Sequence, residues 1–129
     1  MQHEFPVRVY YEDTDMAGIV YHANYLKFIE RARSEWVKGM GIDQNALREH
    51  EGVVFVIRRI EADFRASARF DDELVVQTRV QSVGGVRLVL HQEVQRAGEA
   101  LFTAEVTLVS MTLDGQPTRL PQELRRKVH

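Results

Sequence analysis

The hydrophobic pattern of this chain changes its period after Gly52, and that change limits the folds open to it. Between Asn24 and about Met40, apolar side chains recur every three to four residues, which places them on one side of a helix. From Val53 a continuous apolar run passes into alternation of apolar and polar residues, as is typical of strands. The sequence therefore predicts one long helix, with Asn24 as its N-cap, followed by a sheet.

About four strands are predicted after the helix, mostly joined by tight turns. The run Val53–Ile57 is continuously apolar, which is typical of a strand buried on both faces. A further strand is predicted before the helix, from Phe5 to Tyr11, and a short basic helix over Pro121 to His129. The turn signals are Asp71-Asp72, Gly84-Gly85, Ala97-Gly98 and Asp114-Gly115.

Hairpin-length connections imply antiparallel pairing, so the predicted fold is α+β, an antiparallel sheet wrapped around one long central helix. No repeat, low-complexity tract or linker divides the chain, and we expect residues 1–129 to form a single domain. One helix covers only one face of a sheet, whereas residues 53–57 are apolar on both sides. We therefore expect a second subunit to cover more of the sheet.

The composition excludes several kinds of function. The 129 residues include no Cys, so disulfides, thiolate nucleophiles, Cys-ligated zinc and Cys-held iron–sulfur clusters are ruled out. The net charge of −2 offers no basic footprint for nucleic acid. No apolar stretch approaches the ~18 residues of a membrane-spanning helix, and residues 1–5 lack the pattern of a signal peptide. We expect a cytoplasmic protein.

The densest group of polar residues lies between Tyr11 and Tyr25, where an acidic loop containing Glu12, Asp13 and Asp15 leads into the predicted helix. A helix N-terminus offers free backbone N–H groups and the positive end of the helix dipole. A loop carboxylate and these amides can face the same small space. The amides would polarise a substrate carbonyl while the carboxylate attacks it or directs water.

Other interpretations of these residues stay open. Acidic residues before a helix often serve only to cap it and to complement its dipole. His22 can be a structural residue, and Tyr21 and Tyr25 can belong to the core or to an interface. A metal site built from Asp13, Asp15 and His22 is a third interpretation, although the spacing matches neither an EF-hand nor an H-E-x-x-H motif. We expect no metal and no cofactor.

Three segments carry a resemblance to a known family: EDTD at 12–15, GIVYHANYL at 18–26 and FIERAR at 28–33. They resemble the Tol–Pal-associated acyl-CoA thioesterase family, a relative of 4-hydroxybenzoyl-CoA thioesterase, and both have the hotdog fold. The resemblance implies an acyl-CoA thioesterase whose active site lies at a dimer interface, with dimers often pairing into a homotetramer.

The resemblance also implies roles for individual residues. The catalytic carboxylate of the family falls at Asp15, and the backbone N–H that polarises the thioester carbonyl falls at His22, whose imidazole is left without an assigned role. The pocket-shaping, substrate-binding positions fall at Gly18, Tyr21, Asn24 and Tyr25.

Thioester chemistry is compatible with so small a set of groups. The leaving thiolate has a conjugate acid of pKa ~8.5, so it needs little help from a general acid. One carboxylate and a preorganised oxyanion site are then sufficient, without a Cys or a Ser-His-Asp triad. Asp15 could attack the carbonyl, giving an anhydride, or could activate water, and the sequence does not choose between the two.

Coenzyme A carries phosphates, so basic residues should line the mouth of the pocket. The candidates are Arg58, Arg59, Arg65, Arg69, Arg87, Arg125, Arg126 and Lys127. Two other functions fit the same fold: a non-catalytic module that binds acyl groups or acyl carrier protein, and a dehydratase or hydratase that uses His22. An acidic carrier protein could also contact the basic residues near the C-terminus.

Overall fold

A helix of 16 residues lies across a five-stranded antiparallel sheet in the computed structural model, which describes residues 2–128. The elements in chain order are β1 (Gln2–Arg8), a 3₁₀ turn (Tyr11–Asp13), α1 (Asn24–Gly39), α2 (Gln44–Ala46), a π-helical turn (Leu47–Glu51), β2 (Val53–Phe64), β3 (Glu73–Val83), β4 (Arg87–Arg96), β5 (Glu99–Thr112) and α3 (Gln122–Val128). The α+β architecture predicted from the sequence is confirmed.

The long helix α1 forms where the 3.6-residue period predicted it. Phe28, Ile29 and Ala32 are fully buried against the sheet, on the apolar face of the helix. The helix ends at Gly39, and Gly41 follows with a φ of +82° and an N–H that donates to the carbonyl of Lys38. Because a left-handed residue cannot continue the helix, this glycine makes the end a sharp one.

The strands are arranged in the order β1-β3-β4-β5-β2, every neighbouring pair being antiparallel. The predicted turns at Gly84-Gly85 and Ala97-Gly98 join β3 to β4 and β4 to β5. By contrast, β2 and β3 are consecutive in the chain but are not neighbours in the sheet. The connecting segment, residues 65–72, therefore crosses from one side of the sheet to the other.

The prediction that Val53–Ile57 is buried on both faces is wrong for the single chain. Val56 and Ile57 are each 38% exposed, and Phe64 at the other end of β2 is 56% exposed. The reason is that β2, an edge strand paired with β5, lies beyond the part of the sheet that the long helix covers. Helix α1 packs against β1, β3 and β4 instead, and leaves β2 largely uncovered.

Both terminal elements differ slightly from the prediction. The first strand ends at Arg8 rather than Tyr11, because the Asp13 carboxylate accepts the Tyr10 N–H at 2.8 Å and starts a 3₁₀ turn. The helix predicted near the C-terminus is present as α3, and His129 lies outside the described residues. Within residues 2–128, no helix has the length and apolar character needed to cross a membrane.

One buried amide fixes α1 on the sheet. Gln92 of β4 is completely buried, and its Nε2 donates to the Ile29 carbonyl at 3.0 Å and to the Thr78 hydroxyl at 2.9 Å. Its Oε1 accepts a hydrogen bond from Nη1 of Arg33 at 3.0 Å. A buried polar group is tolerated when its partners are satisfied, and these bonds specify one seating of the helix.

Candidate active site

A cavity of about 300 Å³ lies where α1 begins and β2 ends. Asp15, His22 and Tyr25, three of the residues predicted to form the site, lie on its wall. The remaining lining residues are Ile19, Val20, Phe64, Arg65, Ala66 and Ser67. The structure therefore brings together the loop carboxylate, the start of the helix and a segment distant in sequence.

Asp15 lies at the first position of a tight turn. Its carbonyl accepts the Gly18 N–H at 3.0 Å, and its Oδ1 accepts the Ala17 N–H at 2.9 Å. Gly18 has a φ of +79°, which a glycine adopts without strain. The Asp15 N–H donates to the Ile19 carbonyl at 2.9 Å and closes the turn. The carboxylate is thus held by one oxygen at the edge of the cavity, and the side chain is exposed.

The start of α1 supplies backbone donors. Helix residues begin at Asn24 and Ala23 occupies the N-cap position, so Asn24 is not the N-cap that the sequence predicted. Among residues 2–128, no acceptor is found for the N–H groups of His22 and Ala23. Unpaired amides at the positive end of a helix are suited to bind a carbonyl oxygen that gains negative charge.

Asn24 has a different role from the predicted one. Its side chain is buried, and its Nδ2 donates to the Asp13 carbonyl at 2.9 Å. The same carbonyl accepts the Tyr21 N–H at 2.9 Å. The side chain of Asn24 therefore joins the acidic loop to the helix. It acts as a donor to the loop and does not cap the helix.

Tyr25 connects the cavity to the core. Its ring is stacked on Phe102 with centroids 5.0 Å apart and meets Phe64 edge-on at 5.9 Å. Its hydroxyl oxygen accepts the Ala68 N–H at 3.0 Å. Burial raises the pKa of the Tyr25 phenol, so the group keeps its proton at neutral pH and can donate it in a hydrogen bond.

The other predicted positions lie around the cavity without lining it. Gly18 forms the turn beside Asp15, and Tyr21 is 46% exposed with its ring centroid 4.5 Å from that of His22. The His22 imidazole is exposed and meets the Phe64 ring edge-on at 6.2 Å. Asp15, His22 and Tyr25 thus border the cavity. The other three predicted residues lie in the adjoining loop and at the helix start, and they are Gly18, Tyr21 and Asn24.

The two other acidic residues of the loop are placed differently from Asp15. Glu12 is exposed and does not line the cavity. Asp13 is buried, and its carboxylate is used by the Tyr10 N–H in the preceding turn. Of the three carboxylates, only that of Asp15 lies against the cavity, and none accepts a hydrogen bond from the N-terminus of α1 in the described part of the chain.

Sequence reasoning did not assign Phe64, Ala66 or Ser67 to the site. Strand alternation placed Phe64 in a strand, but nothing local indicated that the end of β2 meets the start of α1. Among the basic candidates, Arg65 lines the cavity and Arg69 pairs by backbone with Ile19 beside it. The others, which lie elsewhere, are Arg58, Arg59, Arg87, Arg125, Arg126 and Lys127.

A second hollow, of about 500 Å³, has three acidic residues on its wall, Glu61, Asp63 and Glu105, against one arginine, Arg65. Its other lining residues are Ala62, His91, Thr103 and Ala104. The excess of acidic residues is unsuited to phosphates, and none of the helices found in residues 2–128 begins at its wall. In the part of the chain that the structure covers, no group of three or more His, Asp or Glu side chains is arranged to hold a metal ion.

Comparison with known proteins agrees with this geometry. The sequence profile of the thioesterase-like superfamily matches residues 9–128. The chain belongs to the thioesterase-like superfamily. It is 39% identical over 126 residues to acyl-CoA thioesterase YbgC of Haemophilus influenzae, covering 97% of this chain and 93% of that protein. It is 43% identical over 122 residues to acyl-CoA thioester hydrolase YbgC of Escherichia coli, covering 93% and 90%.

Solved structures of thioesterases share the fold of this thioesterase-like chain. A probable thioesterase from Bartonella henselae is 38% identical, with a TM-score of 0.90 over 94% of this chain and 100% of that one. A 4-hydroxybenzoyl-CoA thioesterase variant, solved with 4-hydroxybenzoyl-CoA, has a TM-score of 0.93 over 99% of both chains. At 20% identity this second likeness concerns the fold alone, and it confirms the predicted hotdog fold.

The buried contact of Asn24 gives a prediction for the acidic loop. Replacing Asn24→Ala removes the side-chain donor of the Asp13 carbonyl, which keeps the Tyr21 N–H, so we expect a loss of about 0.5–1.5 kcal/mol in the free energy of unfolding. Urea denaturation measures this loss. The control, Asn45→Ala, alters an exposed residue of α2 and should change stability by less than about 0.5 kcal/mol. Equal stability of Asn24→Ala and the parent protein would show that the contact is unimportant.

Proposed function

We propose that this protein hydrolyses the thioester of an acyl-CoA to a free acid and CoA, with Asp15 as nucleophile or general base. The observation that carries the proposal is that Asp15 and His22 line the same cavity, and that the His22 N–H has no acceptor among residues 2–128. The YbgC relatives, named acyl-CoA thioesterase and acyl-CoA thioester hydrolase, support the same reaction.

The proposed reaction uses these groups in order. The carbonyl oxygen of the thioester accepts the His22 N–H, and the helix dipole stabilises the negative charge that develops on that oxygen. In one route Asp15 attacks the carbonyl carbon, and water later hydrolyses the resulting anhydride to release the acid and regenerate the carboxylate. In the other route Asp15 takes a proton from a water that attacks the carbonyl carbon. The C–S bond breaks, and the CoA thiolate leaves without a strong general acid because its conjugate acid has a pKa of ~8.5.

The surrounding residues bind and shape the substrate in this proposal. The Tyr25 hydroxyl has a proton to donate into the cavity, and Phe64 and Ile19 provide apolar walls for the acyl group. The conformation of the acidic loop beside the cavity is maintained by Gly18, Tyr21 and Asn24. Arg65, at the cavity, is the basic candidate best placed to meet a CoA phosphate.

We also propose that a second copy of the chain completes the site. The outer edge of β2 has no strand partner within residues 2–128, and Val56, Ile57 and Phe64 expose apolar surface along it. Exposed strand edges recruit further strands, and symmetric pairing would cover this surface in both copies. Phe64 lies on the cavity wall, so the copy that packs there would border the substrate. Two such dimers would form the proposed homotetramer.

Three finer parts of the proposal rest on the sequence. Association with the Tol–Pal system follows from the motif between residues 12 and 33. An acyl carrier protein, as an acidic partner, would meet the basic residues Arg125, Arg126 and Lys127 at the last turn of α3. The cytoplasm stays the predicted location.

The role of Asp15 is tested by Asp15→Asn, which preserves shape and removes the charge. We expect kcat for acyl-CoA hydrolysis to fall by at least about 10²-fold, since loss of a catalytic acid–base group has effects of this order. A thiol-detecting reagent with a panel of acyl-CoA esters measures the rate, and circular dichroism checks the fold.

The matched control is Glu12→Gln, a neighbouring acidic residue away from the cavity, which should stay within about two-fold of the parent rate. A rate for Asp15→Asn close to that of the parent protein would contradict the proposed catalytic role of Asp15. If the parent protein binds acyl-CoA but hydrolyses no ester in the panel, the chain acts as a binding module instead.

The proposed interface is tested by Ile57→Glu, which places a charge on the apolar edge of β2. We expect the variant to sediment as a monomer and to lose most of its activity, because burying an unpaired charge disfavours association. Analytical ultracentrifugation measures the mass. The control Leu113→Glu alters a residue that is 60% exposed beyond β5, and it should leave the assembly intact. A parent protein that is monomeric yet active would refute the interface.

A further inference from the structure

Arg96, the last residue of β4, joins that strand to the segment that walls the cavity. We name residues 65–72 the wall segment, because Arg65, Ala66 and Ser67 line the cavity. Nη1 of Arg96 donates to the Ser67 carbonyl at 3.2 Å and to Oδ2 of Asp72 at 2.9 Å. One guanidinium therefore holds both the middle of the wall segment and its far end.

The wall segment has separate attachments at its two ends. At the near end, the N–H groups of Arg65 and Ala66 both donate to the Leu101 carbonyl, at 2.8 and 3.1 Å. At the far end, two backbone bonds attach the segment to Val9: the Val9 N–H donates to the Asp72 carbonyl at 3.0 Å, and the Asp71 N–H donates to the Val9 carbonyl at 2.9 Å. The Asp72 carboxylate accepts the Arg96 guanidinium and, within the segment, the Arg69 N–H at 2.8 Å. Without Arg96, the part of the segment between these ends would lose its side-chain tie to the sheet.

The middle part of the wall segment makes the contacts that hold the start of the helix and the acidic loop beside the cavity. The Ala68 N–H donates to the Tyr25 hydroxyl at 3.0 Å, and the Ala68 carbonyl accepts the Val20 N–H at 2.8 Å. Arg69 pairs by backbone with Ile19, whose carbonyl accepts the Asp15 N–H at 2.9 Å. The loop that presents Asp15 thus rests directly on the wall segment.

We propose that Arg96 is a positioning residue for thioester hydrolysis: by holding the wall segment, it keeps the Tyr25 hydroxyl and the Asp15 loop in place around the cavity. The proposal rests on the proposed role of Asp15. Arg96 acts through these residues, and it does not line the cavity itself.

We call the ion pair of Arg96 and Asp72 the clamp, and the charges of its two side chains keep it formed at neutral pH. Burial by itself would raise the pKa of Asp72, but the hydrogen bonds from the Arg69 N–H and from Arg96 outweigh it and hold that pKa below its usual range. The bond to Asp72 raises the pKa of Arg96. The other charged or titratable groups around the pair are Glu99 of β5, Arg69 and the Tyr25 phenol. The ion pair is therefore complete at neutral pH.

The shape of the side chain explains the choice of arginine. A guanidinium offers several donors in a fixed plane and can serve a carbonyl and a carboxylate at once. A lysine ammonium is a compact charge on a flexible stem. We therefore expect Arg96→Lys to keep the attraction to Asp72 and to lose part of the geometric constraint, whereas Arg96→Met loses both.

Steady-state kinetics of Arg96→Met and Arg96→Lys test the proposal. We expect Arg96→Met to lower kcat about 10-fold with KM changed less than about two-fold, because misplacing reacting groups slows the chemical step more than binding. Arg96→Lys should recover part of the loss. The control is Arg8→Met, which breaks an exposed Arg8–Glu73 pair of 3.2 Å and should leave kcat unchanged.

Native-state hydrogen exchange supplies a readout that does not depend on activity. In Arg96→Met, the amides of Ala68 and Val20 should exchange at least about 10-fold faster, while the core amide of Leu90 keeps its protection. Parental kcat in a folded Arg96→Met, or unchanged exchange at Ala68, would overturn the proposal. If Asp15→Asn hydrolyses normally, the assignment of Asp15 fails while the exchange result still stands. Should Arg96→Met fail to fold, Arg96→Lys and Asp72→Asn carry the same test.

The clamp also predicts a pH dependence of stability. The pKa of Asp72 is lower in the folded chain than the ordinary value of about 3.9. Its stabilisation is then complete above that value and is lost as the pH falls through the folded pKa. We expect the Tm difference between the parent protein and Asp72→Asn to be constant near pH 6 to 7 and to narrow below about pH 4. Thermal denaturation measures this Tm difference.

The clamp would be contradicted if the Tm difference stayed constant below about pH 4. It would also be contradicted if the same narrowing occurred when both proteins carried Arg96→Met.

Discussion

The backbone of Ala68 joins the wall segment to the other two parts of the candidate site: its N–H donates to the Tyr25 hydroxyl of the helix, and its carbonyl accepts the Val20 N–H of the acidic loop. The Tyr25 ring is fixed in the core by its stack on Phe102, so the hydroxyl is a rigid acceptor. Ala68 in turn holds the strand-like part of the acidic loop through Val20. Together the two bonds hold the helix, the loop and the wall segment relative to one another, and the proposed reaction needs the Asp15 carboxylate and the oxyanion donor at a defined separation.

The limited coverage of the sheet by α1 has an equally large consequence. Because the helix packs on β1, β3 and β4, the cavity opens beside β2, where Phe64 is exposed. The single chain thus brings the acidic loop and the helix terminus to the candidate cavity but leaves the side of that cavity next to β2 open. The proposed second subunit solves both problems at once, since it would bury the apolar edge and close the cavity.

The parts of the site that sequence reasoning found are those that are close together in the chain. Asp15, His22 and Tyr25 lie within one continuous segment whose turn and helix signals are local, and the structure places all three at the cavity. Asn24 was assigned wrongly as an N-cap, because a local pattern does not reveal that its amide is needed by the Asp13 carbonyl. Arg96 carried no signal, since its partners Ser67 and Asp72 lie more than 20 residues away in the chain.

By itself, the sequence determined the elements and their types: one amphipathic helix, about five strands, the turns between them and the loop that holds the candidate carboxylate. These follow from side-chain periodicity and backbone preferences, which act over a few residues. Only the tertiary structure decided the strand order, the exposure of β2 and the meeting of the wall segment with the start of α1. Those features depend on which distant surfaces pack together, and that choice is made by the burial of the whole chain rather than by any local pattern.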